Sequence, residues 1–177
     1  MSHDGVVLNI MESQLACDLL LHVQQWFDGY QLHNLNSNDK ALVLNMRNHP
    51  QIKKWMSNQD DIPETSHFNF IKNLENIVDQ RYFLVKQHKS IVGSINFSKV
   101  DLSSSVEFGI YTNPFAQLKG AGSMLEAVAS YYAFIELGVN KIKLEVFSNN
   151  ERVTGFFTNW RDLFYKHFHE LTPSVNT

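Results

Sequence analysis

The spacing of apolar residues divides the chain into extended and helical segments. Between residues 82 and 111, β-branched and aromatic residues form short runs separated by polar turns, which is typical of strands. Weak alternation at residues 30–35 and alternation of charged and apolar residues at 141–147 predict two further strands. The three middle strands are joined by short connections and are predicted to be antiparallel neighbours; they are residues 82–85, 91–97 and 106–111.

Apolar residues at helical spacing predict helices before and after this strand-rich region. A helix over residues 41–46 has polar cap candidates just before it. Pro50 disfavours helical geometry at His49, so a second short helix is expected to begin there at an angle. Thr or Ser at residues 65–66 is predicted to cap a further helix, and residues 151–159 are predicted to form the last one.

Residues 1–29 are predicted to be an extension outside the main domain. Four apolar residues recur there at helical spacing and predict an amphipathic helix; they are Leu15, Leu19, Val23 and Trp26. This helix either packs on the domain or binds a partner of its own. Residues 30–177 are predicted to form one domain of the α/β class, in which a mixed, mostly antiparallel sheet is flanked by helices.

The composition is that of an ordinary globular protein. The chain has 177 residues, of which 44% are apolar and 19% charged, enough for one domain with its own core. The formal net charge of -3 gives no electrostatic reason to expect nucleic acid or a membrane as a partner. A single cysteine, Cys17, excludes an internal disulfide, and no apolar run reaches the roughly 20 residues that a bilayer needs. Because no signal-peptide pattern is present, the expected location is cytoplasmic.

A glycine-rich loop after the third middle strand is the most informative motif of the chain. Its residues are Gln117, Leu118, Lys119, Gly120, Ala121, Gly122 and Ser123. Glycines allow a tight turn that points several backbone N–H groups at one spot. A long helix predicted over residues 124–137 would add its first-turn donors and its positive dipole end. The loop is therefore suited to hold a phosphate.

This order of elements, with Gln-x-x-Gly-x-Gly between strand and helix, resembles the GNAT acetyltransferase superfamily. More narrowly, the chain is similar to the PseH-type N-acetyltransferases of pseudaminic-acid biosynthesis over about residues 35–159. The stretches that carry the similarity are Arg-Asn-His-Pro at 47–50, Trp-Met at 55–56, His-Phe-Asn-Phe-Ile at 67–71, Tyr-Phe-Leu-Val at 82–85, Glu-Phe-Gly-Ile-Tyr at 107–111, Asn-Pro at 113–114, Glu-Val at 145–146 and Asn-Asn at 149–150.

The resemblance implies the GNAT acyl-CoA N-acyltransferase fold, with acetyl-CoA as co-substrate and no metal. Two strands would splay apart to hold the pantetheine arm, and residues 117–123 would cradle its pyrophosphate. The other residues implied at the cofactor are Phe108, Gly109, Ile110, Tyr111 and Asn150. The implied reaction transfers acetyl to the 4-amino group of a UDP-linked 4-amino-4,6-dideoxy-N-acetyl-altrosamine, for flagellin glycosylation.

Two carboxylates and one tyrosine are the catalytic candidates. Attack of a neutral amine on a thioester needs a proton acceptor, an oxyanion donor and a proton source for the leaving thiolate. Glu107 and Glu145 fall on the two strands expected to flank the reaction centre, and each is either the proton acceptor, directly or through water, or a solvated strand carboxylate. Enzymes of this type usually carry a tyrosine on the last helix as proton source, but that position is Phe157 here. Tyr111 or water is the expected substitute.

The helices before the strands are expected to cover the acceptor. The resemblance implies that Arg47 and His67 face it, because a guanidinium fits a diphosphate oxygen and an imidazole bonds ribose or phosphate. The alternatives are a surface salt bridge for Arg47 and a helix cap for His67. Met56 and Phe70 are expected to form an apolar wall for the methyl group of a 6-deoxy sugar.

The tail after residue 157 departs from the resemblance. The final hairpin expected to pair with Lys141–Phe147 is shortened, so the last strand is expected to be short, absent or supplied by another subunit. An open strand edge favours a homodimer or coverage by the N-terminal helix. Two other functions stay open: a GNAT that acts on a protein N-terminus or small amine, and a degenerate, non-catalytic GNAT that binds acyl-CoA. No cluster of Cys, His and carboxylates has metal-ligand spacing.

Overall fold

A computed structural model describes residues 5–9, 30–101, 104–116, 118–147, 149–151 and 153. Within these residues, six strands form one sheet in the order β1-β6-β5-β4-β3-β2. The strands are β1 (Gly5–Asn9), β2 (Tyr30–Asn34), β3 (Arg81–Gln87), β4 (Ser90–Asp101), β5 (Ser105–Thr112) and β6 (Lys141–Phe147). The helices are α1 (Lys40–Asn48), α2 (Pro50–Lys53), α3 (Glu64–Asn73), a 3-10 turn (Leu74–Asn76), α4 (Ala121–Tyr131) and a π-helical turn (Tyr132–Glu136).

The sheet is mixed and mostly antiparallel, as predicted. β2, β3, β4 and β5 are antiparallel neighbours in chain order, because short turns join β3 to β4 and β4 to β5. β6 is reached through α4 and runs parallel to β5. The predicted break before Pro50 is also confirmed: His49 has extended geometry (ψ 134) and caps α2 by accepting from the Gln51 amide at 3.3 Å.

Parallel pairing joins only the first part of β5 to β6. The paired residues are Ser105 with Lys141, Val106 with Ile142, and Glu107 with Lys143. Beyond the last pair the two strands diverge. On its other edge, β6 pairs antiparallel with β1 over residues 143–147. The splayed strands implied by the family resemblance are therefore present.

Two apolar clusters lie on opposite faces of the sheet. On one face, α4 packs its buried Leu125 and Ala129 against a large cluster that includes Phe83 and Ile95. On the other face, Val43 of α1 and Ile71 of α3 pack against a small cluster with Leu35 and Leu84. We call this second side the α1–α3 face; the side chains at alternate strand positions from Leu84 point to it.

Some details differ from the sequence-based expectations. α3 begins at Glu64 with Pro63 as its cap, so the predicted cap at residues 65–66 is wrong; the fixed φ of proline is compatible with the position just before a helix. The strand Gly5–Asn9 was not predicted, and it pairs with the β6 edge that was expected to need a hairpin or a second subunit. The predicted helix at residues 15–26, Phe157 and the tail lie outside the described residues.

α4 buries a carboxyl group that the sequence did not single out. Glu126 is 0% exposed, and neither of its carboxyl oxygens has a hydrogen-bond partner in the described part of the chain. One turn later, the buried hydroxyl of Ser130 is without a partner there as well. Burial raises the pKa of Glu126 to about 9, so this carboxyl is protonated and neutral at pH 7.

Replacing Glu126 by Gln should remove a pH dependence of stability. Between pH 4.5 and about 9 the folded state keeps a proton that an unfolded chain releases, so the free energy of unfolding falls as pH rises. The slope is at most about 1.4 kcal/mol per pH unit. Urea unfolding should show Glu126→Gln close to wild type near about pH 5 and clearly more stable near about pH 8. The exposed Glu136→Gln is the control, and an equal gain for Glu126→Gln at both pH values would contradict the assignment.

Gly93 fixes the packing of β4 against β5 and α4. A Cβ at this buried position would overlap the Tyr111 carbonyl oxygen and lie 2.7 Å from Cδ1 of Leu125. Gly93→Ala should therefore lower the free energy of unfolding by about 2–3 kcal/mol in urea titrations. Gly122→Ala, where no atom lies within 4 Å, should change it by less than about 1 kcal/mol. Equal effects of the two substitutions would rule out this packing argument.

Candidate active site

The glycine-rich loop ends in a backbone geometry that suits an anion. Gly120 caps α4 in the left-handed conformation, with φ 78, and α4 continues for 11 residues. Among the described residues, apart from the chain neighbours and the helix's own backbone, no atom lies within 4 Å of a Cβ built on Gly120 or Gly122. The N-terminus of a helix of this length offers unsatisfied N–H groups and a partial positive charge. Gln117 lies outside the described residues.

The split between β5 and β6 opens beside this loop. β5 leads into the loop, and α4 leads from the loop to β6, so the diverging strands and the helix start share one end of the sheet. The backbone of residues 109–111 borders the split. Asn150 follows β6 and is 8% exposed. Its backbone N–H donates to the Phe147 carbonyl at 2.9 Å. The pantetheine arm is expected between these strands and its pyrophosphate at Gly120, as the family resemblance implies.

Arg47 and His67 bring unsatisfied polar atoms to the α1–α3 face. Nη1 of Arg47 and Nε2 of His67 are buried and have no hydrogen-bond partner within the described residues. Burial lowers the pKa of both side chains, and Arg47 interacts electrostatically with His67 and with Tyr111. Because buried polar atoms without partners are rare, these two make the α1–α3 face a candidate position for a ligand.

His67 has a ring nitrogen that is free to bond a ligand. Desolvation by burial lowers the pKa of His67, and a backbone hydrogen bond with Lys40 raises it. Nε2 has no partner within the described residues, and a ligand hydroxyl can bond it in either tautomer. Arg47, in contrast, suits an anion.

Tyr111 lies on the same face and is held by β4. Its hydroxyl is hydrogen-bonded to the Ser94 hydroxyl, and the Ser94 hydroxyl in turn donates to the Phe83 carbonyl at 3.0 Å. Desolvation raises the pKa of Tyr111, so the phenol stays protonated at neutral pH.

The two candidate carboxylates share one lysine. Lys99 Nζ lies 3.0 Å from Oε1 and 2.9 Å from Oε2 of Glu107. Glu145 is exposed, and its charge, like that of Glu107, raises the pKa of Lys99. Lys99 has φ 50 at a register irregularity of β4, a conformation that re-aims a side chain. Sequence reasoning missed Lys99, since positive φ at a lysine has no signal in the sequence.

The apolar residues expected at the acceptor are only partly brought together. Phe70 packs edge-to-face on Tyr82, with ring centroids 5.1 Å apart, next to the small cluster of the α1–α3 face. Met56 is partly buried after α2, and the described contacts do not join it to Arg47 or His67. His49 contacts Phe115 of the segment before the glycine loop, with ring centroids 5.3 Å apart. This contact joins the helices of the α1–α3 face to the loop.

Comparisons with known proteins agree with this geometry. The acetyltransferase (GNAT) family matches residues 45–160. The acetyltransferase PseH of Campylobacter jejuni is 38% identical over 118 residues, which are 67% of this chain and 73% of that protein. The chain belongs to the GNAT acetyltransferase family.

Solved structures extend the likeness. The crystal structure of Campylobacter jejuni N-acetyltransferase PseH in complex with acetyl coenzyme A superposes with a TM-score of 0.58 at 32% identity, covering 73% of this chain and 85% of that one. Spermidine N-acetyltransferase from Vibrio cholerae, in complex with CoA and spermine, has a TM-score of 0.68 at 21% identity, covering 75% and 79%. The second likeness concerns the fold alone.

This GNAT enzyme is an N-acetyltransferase that uses acetyl-CoA as its acetyl donor. Among the described residues, none of the helices has the length and apolarity needed to cross a bilayer. The same residues contain no group of three or more His, Cys, Asp or Glu side chains that could hold a metal ion.

Gly120→Glu should weaken the binding of acetyl-CoA. A carboxylate at the start of α4 repels pyrophosphate, and a side chain at φ 78 is strained. Calorimetric titration with acetyl-CoA should show affinity at least about 30-fold weaker than wild type, which is about 2 kcal/mol.

Gly138→Glu is the matched control for this substitution. Gly138 has φ 66 and no atom within 4 Å of a Cβ, but it lies after the far end of α4. The Gly138→Glu substitution introduces the same charge and comparable strain, but away from the loop. Its acetyl-CoA affinity should therefore stay within about threefold of wild type. Equal losses in the two variants would mean that the loop does not hold the pyrophosphate.

Proposed function

We propose that this GNAT enzyme acetylates the 4-amino group of a UDP-linked 4-amino-4,6-dideoxy-N-acetyl-altrosamine, a step of pseudaminic-acid biosynthesis. The observation that carries the proposal is a pair of buried atoms without a partner among the described residues, Arg47 Nη1 and His67 Nε2. A diphosphate supplies the anion for Arg47, and a sugar or ribose hydroxyl supplies a hydrogen-bond partner for His67. The similarity to PseH supports the same acceptor.

The acceptor would lie between α1, α3 and the sheet. Phe70 and Tyr82 offer an aromatic wall for the methyl group of the sugar, as the sequence predicted for Phe70. We propose that Met56 belongs to the same wall, as predicted from the sequence. With the nucleotide at Arg47 and His67, the 4-amino group would point towards the split between β5 and β6, where the thioester is expected.

Residues at the split would move the protons. The amine of the acceptor attacks the thioester directly, and Glu145 or Glu107 accepts its proton, directly or through water. Tyr111, which stays protonated because its pKa is raised by desolvation, or water would return a proton to the thiolate. Residues 117–123 would hold the pyrophosphate, and residues 108–111 and Asn150 would contact the pantetheine arm.

The two other functions are less well supported. A polyamine or a protein N-terminus carries positive charge, whereas Arg47 contributes positive charge to the α1–α3 face. A degenerate protein that only binds acyl-CoA has no use for unsatisfied polar atoms on the acceptor side. The sequence-based alternatives therefore become outcomes of the same assay.

Arg47→Met should weaken binding of the UDP-amino-sugar without weakening binding of acetyl-CoA. Loss of a charged contact to phosphate should raise the acceptor KM by about 10- to 100-fold, while the acetyl-CoA KM stays within about twofold. Thiol release and mass spectrometry of the product measure both parameters. Lys72→Met, which removes an exposed positive charge from α3, is the control and should behave as wild type.

Three acceptors should be assayed beside each other: the UDP-amino-sugar, spermidine and a peptide with a free N-terminus. Acetylation of the UDP-amino-sugar with the greatest kcat/KM is the expected result. Acetylation of spermidine or the peptide alone would overturn the proposed acceptor. Binding of acetyl-CoA without any turnover would instead favour the non-catalytic protein.

A further inference from the structure

Asn96 of β4 lies beside the predicted reaction centre on the α1–α3 face. In the sheet it pairs with Tyr82 of β3 on one side and with Gly109 of β5 on the other. Since side chains alternate along a strand, Asn96 points to the same side as Ser94. It is partly exposed, and within the described residues its side-chain amide has no hydrogen-bond partner.

The absence of a side chain at Gly109 lets this amide lie over β5. A Cβ at Gly109 would stand 2.8 Å from Oδ1 of Asn96 and 3.4 Å from its Cγ and Nδ2. Gly109 belongs to the part of β5 that has left β6, two residues after the last paired residue, Glu107. The amide oxygen of Asn96 therefore lies where an acceptor amine on the α1–α3 face would reach the backbone predicted to border the acetyl-CoA arm.

We propose that Asn96 binds the amino group of the acceptor and orients it for attack. Its amide oxygen accepts one N–H of the neutral amine, so that the lone pair of the nitrogen is directed away from Asn96 and towards the split. Gly109 serves this contact by leaving room for the amide. The inference rests on the proposed use of the α1–α3 face as the acceptor site, but it concerns the amino group and does not depend on the nucleotide.

The first test is kinetic and uses full-length Asn96→Ala. Loss of one oriented hydrogen bond should lower kcat/KM for the acceptor by about tenfold, while calorimetric affinity for acetyl-CoA stays within about twofold. Asn96→Asp, which keeps an oxygen in the same position, should recover part of the loss. Unchanged acceptor kinetics in Asn96→Ala, or equal losses for acceptor and acetyl-CoA, would overturn the proposal.

Gly109→Ala provides the second test. Its methyl group displaces the end of Asn96, so this variant should also lose about tenfold in acceptor kcat/KM. In the double variant the two losses should not multiply, because Gly109→Ala acts by moving a group that Asn96→Ala has already removed. Multiplied losses would mean that Gly109 acts independently of Asn96 and would contradict the proposed contact.

Two probes separate this inference from the proposed function. The variants are assayed with the UDP-amino-sugar and, at high concentration, with ethanolamine, which has an amino group but no nucleotide. If the wild-type enzyme acetylates only ethanolamine, and Asn96→Ala lowers kcat/KM for ethanolamine, the proposed acceptor is overturned and the role of Asn96 is supported. If Asn96→Ala lowers kcat/KM for neither probe, the role of Asn96 is overturned. A wild-type enzyme that acetylates neither probe overturns both.

Discussion

The hydrogen bonding of β6 decides how the site is built. Two strands that separate inside a sheet each lose a row of backbone partners, which is costly in a buried region. β6 leaves β5 after Lys143, and β1 pairs with β6 from Lys143 to Phe147, the part that has separated. β1 lies on the edge of β6 opposite to β5, so it holds the separated part of β6 in the sheet by its outer edge and leaves the edge that faces the split to other partners. The split then offers the backbone of β5 to a bound arm.

The two faces of the sheet differ in how completely they are packed. On the α4 face, side chains as large as Phe97 are fully buried, and α4 is fixed so that its N-terminus and Gly120 stay at the end of the split. On the α1–α3 face, the apolar cluster is small, and atoms of Arg47 and His67 are buried without partners in the part of the chain that the structure describes. Leaving a buried donor unsatisfied costs about 1–3 kcal/mol, which a ligand with matching groups recovers.

The sequence predicted those features that depend on neighbours along the chain. The meander follows from short turns, the break at His49 from Pro50, and the loop from the glycines at 120 and 122. It could not predict features that depend on the packed chain. Gly5–Asn9 finds its partner more than a hundred residues away, and a lone Glu126 within an apolar helix is indistinguishable in sequence from an exposed one. Asn96 acquires its position only because Gly109 stands opposite.

The lysine at 99 distinguishes the two candidate proton acceptors. Both carboxyl oxygens of Glu107 lie within 3.0 Å of Lys99 Nζ, so accepting a proton would require Glu107 to give up this ion pair. Glu145 interacts with the same lysine only through its more distant charge and is exposed on the other side of the split. An exposed carboxylate reaches an amine most readily through water. We therefore favour Glu145, acting through water, as the proton acceptor, with Lys99 and Glu107 setting the charge beside it.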